Sequence, residues 1–314
     1  MSDNDGQWER GVIEKLASDA LKEQRRARLW GIFFKLLTFA YLTVVLILAV
    51  DWKGGGETSG KHTALVDLTG VIAPGADASA DKVMAGLQAA FESKNTQGVV
   101  LRINSPGGSP VQSQTIYDEM RRLRKKYPDT PLYVVVEDIC ASGGYYVAAA
   151  ADRIYVSRAS IVGSIGVRMD GFGFTRLMDK LGVERRLLTS GDNKAMLDPF
   201  SPVNERHKRA AQGLMDEIHQ QFIADVREGR GKRLKESAET FSGLIWSGQK
   251  SVELGLADSL GSLEHVARDV IKAAEIVDYT QKENIAEKLA KRFGAGAASA
   301  IADWALRSEN SGLR

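Results

Sequence analysis

The chain has 314 residues, 44% of them apolar and 26% charged, with one cysteine, four histidines and 42 basic against 40 acidic side chains. A chain of this length buries an adequate core without staples, one cysteine cannot form an internal disulfide, and the histidines lack metal-ligand spacing, so neither a disulfide framework nor a metal site is expected. The near-cancelled charge provides no field to recruit nucleic acid, and no nucleic-acid partner is expected.

In chain order, the first predicted element is a short amphipathic helix within residues 8–28, where Val12, Ile13, Leu16, Ala17, Ala20 and Leu21 recur at helical spacing. Residues 29–50, LWGIFFKLLTFAYLTVVLILAV, follow with one charge, Lys35. As a helix they extend about 33 Å, enough for a hydrocarbon core of about 30 Å, which predicts a transmembrane anchor in membrane lipid. A cleaved signal peptide is the competing reading. Its apolar region usually runs about 7–15 residues and ends at small residues, whereas here Asp51-Trp52-Lys53 follows. Lys22, Arg25, Arg26 and Arg28 precede the span beside a single acid, Glu23. The positive-inside rule keeps residues 1–28 in the cytoplasm and exports the rest. In a bacterium that describes a single-pass protein of the inner (cell) membrane whose folded part is periplasmic or extracellular. Gly54-Gly55-Gly56 marks residues 51–62 as a linker.

From there, β-branched runs at 64–72, 98–103, 131–136, 153–157 and 184–189 are interspersed with helical patterns at 81–93, 110–127, 143–151, 205–228 and 262–274. Strands separated by helices predict an α/β architecture with a parallel sheet covered on both faces, a doubly wound sheet being one form of it. Residues 276–314 read as a helical extension without recognisable chemistry.

In α/β sheets, sites form at the carboxyl ends of strands, and two such ends are unusual here. NSPGGSP (104–110) follows GVVLRI, and its Gly107-Gly108 pair makes a turn whose bare N–H groups can face an oxyanion before Pro110 opens a helix. An ordinary strand-to-helix turn is the plain alternative. EDICASGGYY (137–146) places Ser142 between small neighbours at the start of a helix, where a nucleophile gains from the helix N-terminus. A serine used only to cap that helix is the plain alternative here. Cys140 reads as a small buried strand residue, since nothing at this turn would activate a thiol.

A nucleophilic serine needs a base, and among scattered histidines the established option is a lysine. TSGDNKAMLDPF (189–200) offers Lys194. To accept a proton near neutrality, a lysine must fall about 3 units from about 10.4, which burial or a nearby cation imposes. Asp192 and Asp198 must then point away, and a neutral hydroxyl must hold the amine. A solvated surface lysine is the alternative.

Taken together, LRINSPGGSP, ASGGYYVAAAADRIYV, ASIVGSIGV, TSGDNKAMLDPFSP and SGQKSVELGLADSLGS make residues 63–275 resemble the signal peptide peptidase A family of membrane-bound serine proteases, in its short form. The resemblance implies a ClpP/crotonase-like fold of repeated ββα units and assigns Ser142 as nucleophile, Lys194 as general base and Ser164 as the hydroxyl that positions the lysine. It implies an oxyanion hole from the N–H groups of Gly108 and Gly143. It also implies homo-oligomeric rings that assemble active sites across protomer interfaces, and no cofactor. The implied reaction is endopeptidase cleavage of remnant signal peptides and other unfolded apolar segments, bound as an added strand beside the Gly-Gly turn. Two other readings stay open: a crotonase-like acyl-CoA enzyme, and an inert ring-forming membrane scaffold.

Overall fold

The computed structural model describes residues 3–49 and 60–281. Most of the expected linker and of the C-terminal extension, together with the last residue of the expected span, lies outside these. The chain divides into two units, the first holding the N-terminal helix and the second running from Glu57 to Lys282.

Helix α1 is continuous over Asp3–Ala49. The sequence predicts two helices here. No proline interrupts residues 3–49, so nothing forces a break between the amphipathic and apolar parts. Ser18–Val45 is the one helix segment among the described residues that is long and apolar enough to cross a membrane, and its most apolar stretch is wholly unburied.

The second unit is built on one sheet. Its strands are β1 (His62–Thr69), β2 (Thr96–Ser105), β3 (Leu132–Ala141), β4 (Arg153–Val156), β5 (Ile161–Gly163), β6 (Ile245–Ser247), β7 (Ser259–Leu260) and β8 (Ile276–Asp278). The order is β6-β5-β3-β2-β1-β8, with β4 also on β3 and β7 on β4. Every pairing is parallel except β5 with β6. Parallel strands are buried on both faces, which is why GVVLRI and LYVVV are almost unbroken apolar runs. Alternate residues separate the two faces. Val99, Leu101, Val134 and Val136 join the main core beneath helices α2 (Ala80–Glu92), α3 (Pro110–Lys126) and α4 (Gly143–Ala149). Leu65, Val100 and Val135 join a smaller cluster with Tyr155, Leu263 and Val266.

On the edge opposite β2, strand β3 has two partners in succession, and this positions the site. Tyr133–Val136 pair with β4, while Ile139–Ala141 pair with β5. One neighbour gives way to the other around Glu137 and Asp138, so β3 runs on beyond β4, along β5, and delivers Ser142 at its end.

After β5, the chain makes helix α5 (Thr175–Leu181) and the long helix α6 (Glu205–Arg230), whose start is capped by Asn204 accepting from the Arg206 and His207 N–H groups. From Gly166 to Ala210 no residue is buried. The predicted strand at 184–189 does not form. Its residues are exposed and meet no free sheet edge, and a strand without a partner has nothing to satisfy its backbone. The end of α6 is anchored by Arg230, whose fully buried guanidinium grips Asp258 at 2.8 and 3.0 Å and donates to Gly255 O at 2.9 Å. Helix α7 (Gly248–Glu253) follows β6, and a helical turn at Leu263–His265 passes into a π-helix over Val266–Ile271 where one helix is predicted. Residues 276–278, predicted as part of a helical extension, instead pair with β1 as β8, where Ile276 packs against the smaller cluster.

Candidate active site

Ser142 is the single residue between β3 and α4, with φ 51° and ψ −123°. A side chain held there costs of order 1–3 kcal/mol, which the surroundings must supply. They do so through the main chain: Ser142 N donates to Gly163 O at 2.8 Å, and Tyr146 N donates to Ser142 O at 2.9 Å. The hydroxyl makes no capping bond to the helix. The plain helix-cap role is therefore unfilled, and the oxygen is left for other chemistry.

The Gly-Gly turn packs directly against this residue. Ile72 N donates to Gly107 O at 2.9 Å and Ser109 N to Ile72 O at 2.8 Å, which ties the turn to the segment after β1. A Cβ on Gly108 would sit 2.1 Å from Ile72 O, and one on Gly143 would sit 2.4 Å from Ser113 Oγ. At Gly108 the clash is with backbone and only glycine fits, whereas at Gly143 a side chain would first have to displace the Ser113 hydroxyl. The Gly143 Cβ position is also 3.2 Å from Gly108 N, so the two glycines adjoin. Neither N–H has a hydrogen-bond partner among the described residues. Ser105 shapes the turn, donating to Gly70 O at 2.6 Å and accepting from Gly107 N at 3.1 Å. As predicted, Pro110 opens α3, and Ser109 caps it.

Ser164, just beyond β5, also has positive φ, 53°. Ser142, Ser164, Gly108 and Gly143 line one cavity of about 760 Å³. Tyr146 and Phe222 form an apolar wall, stacked with ring centroids 4.5 Å apart. The Tyr146 hydroxyl donates to Asp225. Burial first, and the Asp225 bond second, push its phenol well above the ordinary range, so it serves as a neutral donor and not as a base. A second cavity, of about 830 Å³, is bordered by Arg102, Glu137 and Glu264. Its Arg102 is engaged by Asp67 at 2.7 Å and Glu137 at 3.4 Å.

Four of the five predicted residues therefore meet. Lys194 does not join them: it is exposed in a turn-rich loop and does not border the cavity. Of the carboxylates that would oppose a neutral lysine, Asp198 is already engaged by Arg185 at 3.1 Å and by the Ser201 hydroxyl at 2.6 Å. The Arg185 guanidinium also lies over the Phe200 ring, 5.2 Å from its centroid, and Phe200 stacks on Phe174. These contacts give the loop a shape of its own. Cys140 is fully buried, and burial pushes its thiol far up, as expected for an inert strand residue. Two contributors escape sequence reading: Ser105, and His219, which borders the cavity from α6.

The family model "Peptidase family S49" matches residues 124–277, which hold Ser142, Ser164 and Lys194. The model "Clp protease" matches residues 65–162, from β1 to β5. The fold is thus ClpP/crotonase-like, as expected, in a mixed α/β form with a mostly parallel sheet. A Brucella abortus protein named "Na(+)/H(+) antiporter NhaA" is 45% identical over 182 residues, 58% of this chain but only 25% of that protein. "Putative signal peptide peptidase SppA" of Enterococcus faecium is 33% identical over 189 residues, 60% of this chain and 54% of the relative. This chain therefore spans a quarter of the first relative's length and about half of the second's. "Putative protease slr0021" of Synechocystis is 34% identical over 206 residues, 65% of this chain and 71% of the relative. With that much of the Synechocystis relative matched, and the family model laid across the serine turn, the chain belongs to peptidase family S49.

Proposed function

We propose that the protein is a membrane-anchored serine endopeptidase in which Ser142 is the nucleophile and Lys194 the general base. Ser164 holds the lysine amine, and the Gly108 and Gly143 N–H groups form the oxyanion hole. The observation that carries this reading is the free Ser142 hydroxyl beside two adjoining glycines with unpartnered amides in one cavity. Lys194 removes the Oγ proton as Oγ attacks the peptide carbonyl carbon, and the amides stabilise the oxyanion that forms. The lysine returns the proton to the leaving amine. A water, deprotonated in turn, opens the acyl ester and frees the acid and the serine.

Lys194 is supplied by a neighbouring copy in a homo-oligomeric ring. Support comes from the 45 residues 166–210, which bury nothing yet carry Phe172, Leu181, Leu188 and Val203, Leu188 being 97% exposed. An apolar surface of this extent calls for a covering partner. Peptides are bound as an added strand beside Gly107-Gly108, with an apolar side chain against Tyr146 and Phe222. Signal peptide remnants fit such a wall, in keeping with the name of the Enterococcus relative. Residues 29–50 form the anchor, with residues 1–28 cytoplasmic and the domain that starts near residue 63 in the periplasm or outside.

The test mixes two inactive variants of the full-length protein in detergent. Ser142→Ala and Lys194→Ala are each expected to be inert, and their co-assembled mixture is expected to recover a measurable fraction of cleavage of a fluorogenic apolar peptide. A mixture as inert as its components, despite co-assembly, overturns the shared site. A Lys194→Ala protein with wild-type turnover overturns the lysine's role.

The oxyanion hole makes a separate prediction. Gly108→Ala forces its Cβ into Ile72 O and displaces the amide, and is expected to lower kcat by about 10²–10³-fold. Peptide kinetics check this, and a kcat within a few-fold of wild type excludes Gly108 from the hole.

A further inference from the structure

Three consecutive residues at the exit of β5 bond to three different parts of the fold: the nucleophile turn, the segment before β6, and α6. Gly163 O accepts from Ser142 N at 2.8 Å, Ser164 N donates to Leu244 O at 2.7 Å, and Ile165 O lies 3.1 Å from His219 Nε2. The middle residue is held at φ 53°, a conformation a serine adopts only when its neighbours are fixed. On one side it is fixed by the nucleophile's own amide. On the other side, Ile165 is the last buried residue before the chain leaves for the uncovered arm that starts at Gly166. The His219 bond is therefore the anchor closest to the arm, and the one of the three that depends on a side chain.

We infer that His219 is a positioning residue, which fixes the strained corner that holds Ser164 beside Ser142 by donating from Nε2 to the Ile165 carbonyl. A carbonyl only accepts, so Nε2 carries the hydrogen in this bond. The imidazolium form carries it too, so the tether holds in both protonation states. Without it, the exit of β5 is free to relax toward ordinary backbone angles. A displacement of about 1 Å in a positioned group costs about 10²-fold in rate. The inference rests on the roles given above to Ser142 and Ser164.

The experiment uses the full-length protein in detergent and three variants. His219→Ala removes the ring, His219→Phe fills its volume without a donor, and His219→Gln places an amide donor within reach of the same carbonyl. The readouts are the rate of labelling by a fluorophosphonate, kcat and KM for a fluorogenic peptide, and oligomer size. Ala and Phe are expected to slow labelling and kcat by about 10–100-fold with KM within about twofold, and Gln to restore both to within about threefold. His219→Phe reacting at the wild-type rate overturns the inference. So does His219→Gln being as slow as Phe, which would make the ring nitrogen itself part of the chemistry. If Ser142→Ala still labels like wild type, the nucleophile assignment fails instead, and the two failures are told apart.

Discussion

Replacing Ser142 by alanine is expected to abolish labelling by a fluorophosphonate and to lower peptide cleavage on the order of 10⁶-fold, the scale set by removing the nucleophile of a serine protease. The loss would be chemical and not structural. Alanine keeps the Cβ, and both bonds that fix the residue, to Gly163 O and from Tyr146 N, are main-chain bonds. Melting temperature and oligomer size should stay at wild-type values. Ser142→Gly sharpens the point: glycine adopts φ 51° without strain, so the variant should be equally inert and more stable by about 1 kcal/mol. A serine kept where glycine is more comfortable is the expected mark of function traded against stability. Equal labelling of wild type and Ser142→Ala would remove Ser142 from the mechanism.

The largest expected effect on stability lies far from that hydroxyl. Arg230→Met fills the same space but deletes three donors, taking from Gly255 O its buried partner and from the Asp258 carboxylate its bidentate guanidinium, with the Ile154 N–H and Arg233 left to it. Removing one member of a buried pair costs about 3–5 kcal/mol. At about 2–4 °C per kcal/mol for a unit of this size, the melting temperature should fall on the order of 10 °C. Arg233 at 3.3 Å is a partial substitute, so the double variant Arg230→Met/Asp258→Asn should lose less than the single one. Acid provides a second check. Burial works to raise the Asp258 carboxyl, but the Arg230 bonds and charge, the Ile154 N–H and Arg233 together hold it below its ordinary value. A depressed carboxyl contributes its stability above the unfolded value of about 3.9 and loses it as pH falls through the folded value. Wild-type melts should therefore weaken below about pH 4, and Arg230→Met should show a flatter acid limb. A variant that melts with wild type would show that the pair is neutral in this fold.

Much of the site was legible because its signals are local. Pro106, Gly107 and Gly108 announce a turn that only small residues can make, and Ser142 precedes a helix start written in small residues. The sheet was legible because parallel strands must be apolar on both faces. What escaped depends on distance along the chain. His219 meets a carbonyl 54 positions away, and neither residue type reports the other. Residues 137–141 carry Glu137 and Asp138 and do not read as strand, yet β3 continues through them because β5, some twenty positions later in the chain, pairs with Ile139–Ala141. ERRLLT at 184–189 reads as a strand from its residues, but propensity without an adjacent edge leaves the segment outside the sheet. Lys194 stood out by its motif, but a motif does not report that its loop buries no residue and leaves it away from the cavity lining.

Cys140 gives this protein a built-in gauge. It is the single thiol of the chain, fully buried two positions before Ser142 and paired through β3 with Ser105 and Val162. Its side chain lies in the main core, so a disulfide reagent reaches it only when the packing over the end of β3, which carries the serine, opens. The rate of thiol modification under native conditions therefore counts openings of the nucleophile's own bed, with no engineered probe and no background from other cysteines. A bound peptide that closes the cavity should slow that count in proportion to its occupancy, which turns an inert side chain into a direct measure of how substrate stiffens the strand beneath the reaction.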